Sequence, residues 1–282
     1  MMQRSSVCVS RWFPRVVHYH NRLTCSQERS FCEKKASIIP ILKEMRQKTG
    51  AGVMECKKIL EKNNMDADKA VAELMEIARS SKGRSRNTAA GWISMARRGN
   101  KAVLSELLSE TDFVSKNENF KALSKNIAQV ALDTETESEE GVFKIDSTKL
   151  LEAPSLDQKD VTVGQKISEL IFSMGETMRL ERCEGLCVKE GIVDGYVHGG
   201  RIGVLVSLSG GEPNEKLARD IAVHIAACGP DVISREDLPP SVEPKKGSIL
   251  LEQDYIHDES LTVKEVLEKH GSPKVSMHIL SR

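Results

Sequence analysis

Aromatic side chains are scarce in this 282-residue chain, 4% of the total, and no apolar run reaches the roughly 18 residues of a membrane-spanning helix. A helical membrane protein is thereby excluded. Net charge is absent as well, with 41 basic against 41 acidic side chains. Cysteine pairing is missing too. The seven cysteines stand at 8, 25, 32, 56, 183, 187 and 228, and the Cys183-x3-Cys187 pair has neither a second pair nor a nearby histidine. That pattern argues against a disulfide framework and against a zinc site, and for free thiols in a reducing compartment. Signatures of catalysis are lacking: there is no G-x-S-x-G, no H-E-x-x-H and no P-loop. His224 and Cys228 lie four apart on one expected helix with no orienting acid, which is too little for Cys–His chemistry. The expectation is a protein that is not an enzyme and that holds no cofactor or metal.

The zero net charge hides an asymmetry. Residues 1–37 hold seven basic groups (Arg4, Arg11, Arg15, Arg22, Arg29, Lys34, Lys35) against Glu28 and Glu33, which leaves 34 against 39 for the remainder. Serines and the apolar Val7, Val9, Trp12, Phe13, Val16 and Val17 are interspersed with the arginines, as in a mitochondrial transit peptide and unlike the continuous apolar stretch of a secretory signal. A basic tail that touches RNA is the alternative. Without this segment the protein is mildly acidic and lacks the footprint of a general nucleic-acid binder. The expected location is the mitochondrial matrix.

Three short helices are expected over 38–80. Ile38, Leu42 and Met45 share one face, Thr49-Gly50-Ala51-Gly52 breaks the pattern, Val53 to Leu60 resumes it, and Asp66 can cap a third helix carrying Ala70, Val71, Leu74 and Ile77. Residues 81–91, small, polar and basic, read as a linker. From Trp92 the period changes to that of strands. A hairpin over 92–108 turns at Gly99-Asn100, and a second over 192–208 turns at Gly199-Gly200. Each is followed by a helix, the second with Pro213 in its first turn and Gly229-Pro230 as its stop. The fold class is therefore α+β, two related subdomains over 92–160 and 161–282 behind the small helical unit. The polar 133–160 reads as an exposed connector, 163–178 as a helix, 230–249 as a proline-rich loop, 249–255 as a strand, 262–270 as a helix capped by Thr262 and Glu265, and 275–280 as a last strand.

One stretch does not fit its surroundings. Thr111-Asp112-Phe113-Val114 joins the half-buried strand 101–108 to a helix in which Phe120, Leu123, Ile127 and Val130 share a face, with Ser115 and Glu118 as an expected capping box. The ordinary fate of a Phe at such a corner is to pack under its own helix, and an Asp there usually answers the positive helix end.

Three segments carry a resemblance: SETDFVSKNENF at 109–120, RQKTGAGVMECKKIL at 46–60 and YVHGGRIGVLV at 196–206. Together they are similar to the elongation factor Ts family, nucleotide-exchange factors for the GTPase elongation factor Tu, and to its shorter organellar form. The resemblance implies a ubiquitin-associated-like bundle over 38–80 and a partner surface made of Arg46, Val53, Met54, Thr111, Asp112, Phe113, Val114 and the lesser candidate His198. It implies further that Asp112 and Phe113 enter the partner's G domain beside its magnesium site, with the nucleotide-free and GDP-bound partner as the bound forms. Thr177 stands where the family has Asn, which puts any role for that side chain in doubt. Bacterial members insert a coiled-coil hairpin near 230–249 for which this chain has no room, and the chain is expected to lack the tail that relatives carry after their last strand. The rival reading is a scaffold or RNA-binding protein built on the helical unit and the basic front end.

Overall fold

The structure, a computed structural model, describes residues 38–80, 87–134, 140–212, 214–238, 243–245 and 247–282. The expected transit peptide 1–37 and most of the linker fall outside these. The chain divides into two compact units, Met1–Glu44 and Met45–Arg282. Of the first, only 38–44 are described, and they are helical.

Helical structure continues over 45–49, so that α1 spans 38–49. The Thr49 hydroxyl donates to the Met45 carbonyl at 2.7 Å and Gly50, at φ +70°, turns the chain out of the helix. A side chain at Gly50 would meet Ser173 Cβ at 2.4 Å, so the residue is required by close approach as well as by conformation. After it come α2 (Val53–Lys62) and α3 (Ala67–Ser80), whose Cys56, Leu60, Ala70, Leu74 and Ala78 are buried. Asp66 accepts from the Lys69 amide at the head of α3, as its position before the helix suggests.

The rest of the second unit is layered. Strands β1 (Ala90–Arg98), β2 (Lys101–Ser109), β3 (Gly141–Ile145) and β4 (Met178–Cys187) form one antiparallel sheet in the order β1-β2-β4-β3. Strands β5 (Ile192–His198), β6 (Ile202–Ser209) and β9 (Lys274–Ser281) form a second, in the order β5-β6-β9. The two sheets share a core of Ile93, Ala102, Leu104, Leu186, Val193, Leu205 and Leu280. Helix α5 (Glu118–Thr134) and helices α6 (Ser147–Glu152) and α7 (Val163–Met174) close the other face of the first sheet over Val103, Leu107, Leu180 and Cys183. Helices α8 (Glu215–Cys228) and α9 (Val263–Lys269) cover Val204, Val206 and Leu208 on the second. Helix, sheet, sheet, helix is a mixed α+β arrangement, and its hairpin-then-helix order recurs.

This layering explains why β2 is buried along nearly its whole length. Its odd residues Val103 and Leu107 face the helices and its even residues Ala102 and Leu104 face the other sheet, so it is covered on both faces and not half-buried as its composition suggests. Glu106 lies on the same strand, nearly fully buried. Arg182 Nε at 2.6 Å and Arg282 Nε at 3.5 Å answer it, as a carboxylate held out of water requires.

Several expected boundaries shift for physical reasons. The 133–160 stretch is not merely an exposed connector: β3 adds an edge to the first sheet and α6, capped by Asp146 through the Thr148 amide at 2.8 Å, packs beneath it. Helix α7 stops at Met174, four residues short of the expected Met178, because Gly175 adopts φ +76° as its cap. Strand β4 then leaves the expected C-terminal subdomain and becomes an interior strand of the first sheet, a pairing that local periodicity cannot reveal. Helix α8 opens at Glu215, with Asn214 capping through the Leu217 amide at 2.8 Å, so Pro213, outside the described residues, precedes its first turn. A short 3-10 turn at Leu250–Glu252 replaces most of the strand expected at 249–255, and β7 (Asp254–Tyr255) pairs with an unexpected β8 (Asp258–Thr262). The Thr262–Glu265 capping box is present with both of its bonds.

His224 is buried on α8 and held neutral. Gln253 donates its amide to the Gly247 carbonyl, which leaves its oxygen, 2.7 Å from His224 Nε2, as acceptor, while His224 Nδ1 accepts from the Ile256 amide at 3.2 Å. Desolvation by burial holds the imidazole below the ordinary histidine value of 6.5. A group that is harder to protonate folded than unfolded favours the unfolded state in acid. Stability from this residue is therefore fully present above pH 6.5 and falls as pH drops below it, by at most about 1.4 kcal/mol per pH unit for one proton. Urea unfolding between pH 7.5 and 5.5 should show that decline, and His224→Asn should remove this part of the slope.

Candidate functional site

The segment 111–114 is not an open corner. Residues Asp112–Ser115 form a single helical turn, α4, with Thr111 before it in extended conformation (φ −122°, ψ 159°). Ser115 does not cap the following helix; its hydroxyl donates back to the Asp112 carbonyl at 3.1 Å, and Asn117 takes the capping role by accepting from the Asn119 amide at 2.9 Å. The expected Ser115–Glu118 capping box is thus replaced by an Asn two residues later, directly before α5, whose side-chain oxygen accepts from the second amide of the helix.

Within this turn neighbouring side chains part company. Val114 is buried against the helical core and Phe113 is 84% exposed. The ordinary fate of a corner Phe does not apply, because Val114 already fills the space beneath the turn. Seven residues on, Phe120 is fully buried in that core. The side chain of Val114 anchors the turn from below, which leaves its backbone for the expected partner contact. An isolated exposed apolar residue is unremarkable, yet a Phe at this exposure on an ordered turn leaves a large apolar surface in water.

Asp112 is exposed and ion-paired with Lys116 Nζ at 2.7 Å, one helical turn on. That hydrogen bond and charge hold its carboxyl below the usual carboxylate range. Thr111 is turned the other way. Its amide donates to Glu176 Oε2 at 3.1 Å, and its hydroxyl lies 2.8 Å from Oε1 and 3.0 Å from Oε2 of the same carboxylate. Glu176 was not among the residues the sequence singled out, although its segment SMGETMRLER at 173–182 is one of those similar to the family.

The second hairpin arrives beside the first. The Ile93 amide of β1 donates to the Gly200 carbonyl at 2.9 Å, and a side chain at Gly200 (φ +68°) would collide with the Trp92 ring. His198, the last residue of β5, is exposed and 3.2 Å from the Tyr196 hydroxyl through Nδ1. A cleft of about 360 Å³ is lined by Trp92, Asp112, Lys116, Gly199 and Arg201, so the turn beyond His198 and the turn that carries Phe113 border one concavity. Arg46, Val53 and Met54 are all exposed, Met54 to 77% and Val53 to 45%. Among the described residues no group of three or more His, Cys, Asp or Glu is placed to hold a metal ion, and no helix is long and apolar enough to cross a membrane.

An exposed apolar tip beside a cleft, with further exposed apolar side chains on α2, is the kind of surface with which a protein docks on another macromolecule. The comparisons with known proteins name the group. Residues 110–250 match the family model described as Elongation factor TS. The chain is 38% identical to Elongation factor Ts of Alkalilimnicola ehrlichii, over 81% of this chain and 74% of that protein. It is likewise 38% identical to Elongation factor Ts of Xanthomonas euvesicatoria pv. vesicatoria and of Xanthomonas oryzae pv. oryzae, over 84% of this chain and 77% of each of those proteins. The chain belongs to the Elongation factor Ts family.

Proposed function

We propose that this protein releases GDP from the GTPase elongation factor Tu by setting Phe113 into the G domain of that partner, and that it does so in mitochondria. The coarser part follows from family membership: the chain is a nucleotide-exchange factor for elongation factor Tu in translation elongation. The observation that carries the finer part is the position of Phe113, a ring 84% exposed to solvent on a helical turn.

A GTPase holds its nucleotide through a phosphate loop and magnesium, both set by neighbouring elements. A protein that binds the empty form better than the loaded form must lower nucleotide affinity by the same factor that nucleotide lowers its own. A thousandfold effect needs differential binding of roughly 4 kcal/mol. Burying one Phe contributes about 1.5 to 3 kcal/mol, so Phe113 supplies a large part and the exposed Val53, Met54 and Arg46 of the helical unit, read as a ubiquitin-associated-like docking module, supply the remainder against the entropy of association. Asp112, ionised and paired with Lys116, can meet the partner's metal or backbone environment only by exchanging that pairing. The mitochondrial assignment rests on the composition of residues 1–37.

The test is the release of a fluorescent GDP from mitochondrial elongation factor Tu with substoichiometric amounts of this protein. Multiple-turnover acceleration is the expected result. Release at the spontaneous rate at every concentration would overturn the proposal.

A further inference from the structure

We propose that Glu176 is a positioning residue for exchange, holding the turn that bears Phe113 at a fixed angle through a latch between two segments far apart in the sequence. The proposal rests on the reading of Phe113 as the working side chain.

A helical turn of four residues cannot hold itself. One turn fixes several backbone torsions for very few hydrogen bonds, so its geometry has to be imposed by its neighbours. On the underside Val114 does this by burial. At the leading end the usual device would be a capping side chain, but Thr111, which occupies the capping position, makes no side-chain bond to α4. Its amide and its hydroxyl both go to the Glu176 carboxylate. Next to that contact the exchange is returned: Glu110 Oε1 accepts from the Thr177 amide at 2.7 Å. Two consecutive residues before the Phe113 turn are thereby stitched to two consecutive residues after α7.

The other side of the latch is itself stiff. Glu176 follows Gly175, whose left-handed backbone closes α7, and precedes Met178, which is buried at the start of β4. The carboxylate is therefore presented by a short link between a capped helix and an interior strand. Hydrogen bonds to a charged acceptor are the stronger kind and are directional. Released from this latch, α4 would have to be ordered during binding, and the ring would reach its pocket at a cost now met in advance by the fold.

Glu176→Ala should lower the acceleration of fluorescent GDP release roughly tenfold, the scale set by one charged hydrogen bond. Glu176→Gln, which keeps an acceptor, should recover much of it. Thermal unfolding of each full-length variant reports whether the fold is kept. The deciding arm is the double variant. If Glu176 acts through the ring, Glu176→Ala adds no loss in a Phe113→Ala background. Should Glu176→Ala fail to fold, Thr111→Val removes the hydroxyl from the opposite side and must show the same dependence on Phe113. Equal fold losses in both backgrounds would overturn the latch, as would wild-type acceleration by Glu176→Ala. Wild-type acceleration by Phe113→Ala alone would instead defeat the reading on which the proposal stands.

Discussion

Phe113→Ala should reduce the acceleration of GDP release by roughly 10- to 150-fold and leave the stability of the free protein almost unchanged. The rate loss is the burial of one phenyl ring, about 1.5 to 3 kcal/mol, read at about 1.36 kcal/mol per decade. Unchanged stability follows from the ring's exposure of 84%: truncating a side chain that touches little of its own protein shifts unfolding by about 0.5 kcal/mol or less. Both halves are needed. A variant that lost exchange together with stability would point to damage in the core under α4 and not to a missing contact. Stopped-flow release and urea unfolding on the same preparation make the distinction.

Phe120→Ala should do the reverse in its primary effect. This ring is fully buried among Val103, Ile127, Leu150 and their neighbours, and emptying such a site costs about 3 to 5 kcal/mol through lost transfer energy and the cavity left behind. For a unit of this size the melting temperature should fall by roughly 10 °C. Exchange measured well below that temperature, on the fraction that remains folded, should be reduced far less than in Phe113→Ala. Two phenylalanines seven residues apart thus separate the two kinds of work that the segment performs.

That division was only half legible in the sequence. The apolar spacing of Phe120, Leu123, Ile127 and Val130 predicts the buried face of α5, because a helix reports its environment every three or four residues. Both glycine-centred hairpins are equally plain, as is the Thr262–Glu265 capping box. The exposure of Phe113 was not decided by local pattern. A ring ahead of a helix packs beneath it unless something else fills the space, and that something, Val114, is recognisable only once the turn's geometry places the two side chains on opposite sides. Resemblance to a family, and not local pattern, pointed to Phe113.

Contacts between distant segments were the least visible. Strand β4 carries charges at Arg179, Glu181, Arg182 and Glu184 and lies directly after a helix, so its place between β2 and β3 follows from pairing partners more than 35 residues away. Strand β3 emerges from the most acidic stretch of the chain, and its five residues are too few for periodicity to register. Strand β8, mostly exposed and polar, gives no alternation to read. Glu176 belongs with these: its role comes from Thr111, 65 positions earlier, and no spacing rule connects them. The Asp112–Lys116 pair, by contrast, sits at the four-residue spacing that a helical turn makes adjacent, and was available to a reader who expected a helix there.

The central claim is that the exposed ring distinguishes the empty partner from the loaded one. Calorimetric titration of elongation factor Tu with this protein, without nucleotide and at saturating GDP, measures that discrimination as a ratio of two dissociation constants, for the wild type and for Phe113→Ala. The wild-type ratio should be about a thousand in favour of the empty GTPase, and the variant's should fall at least tenfold below it. The same ratio for both proteins, with any weakening shared equally between the two nucleotide states, would contradict the account.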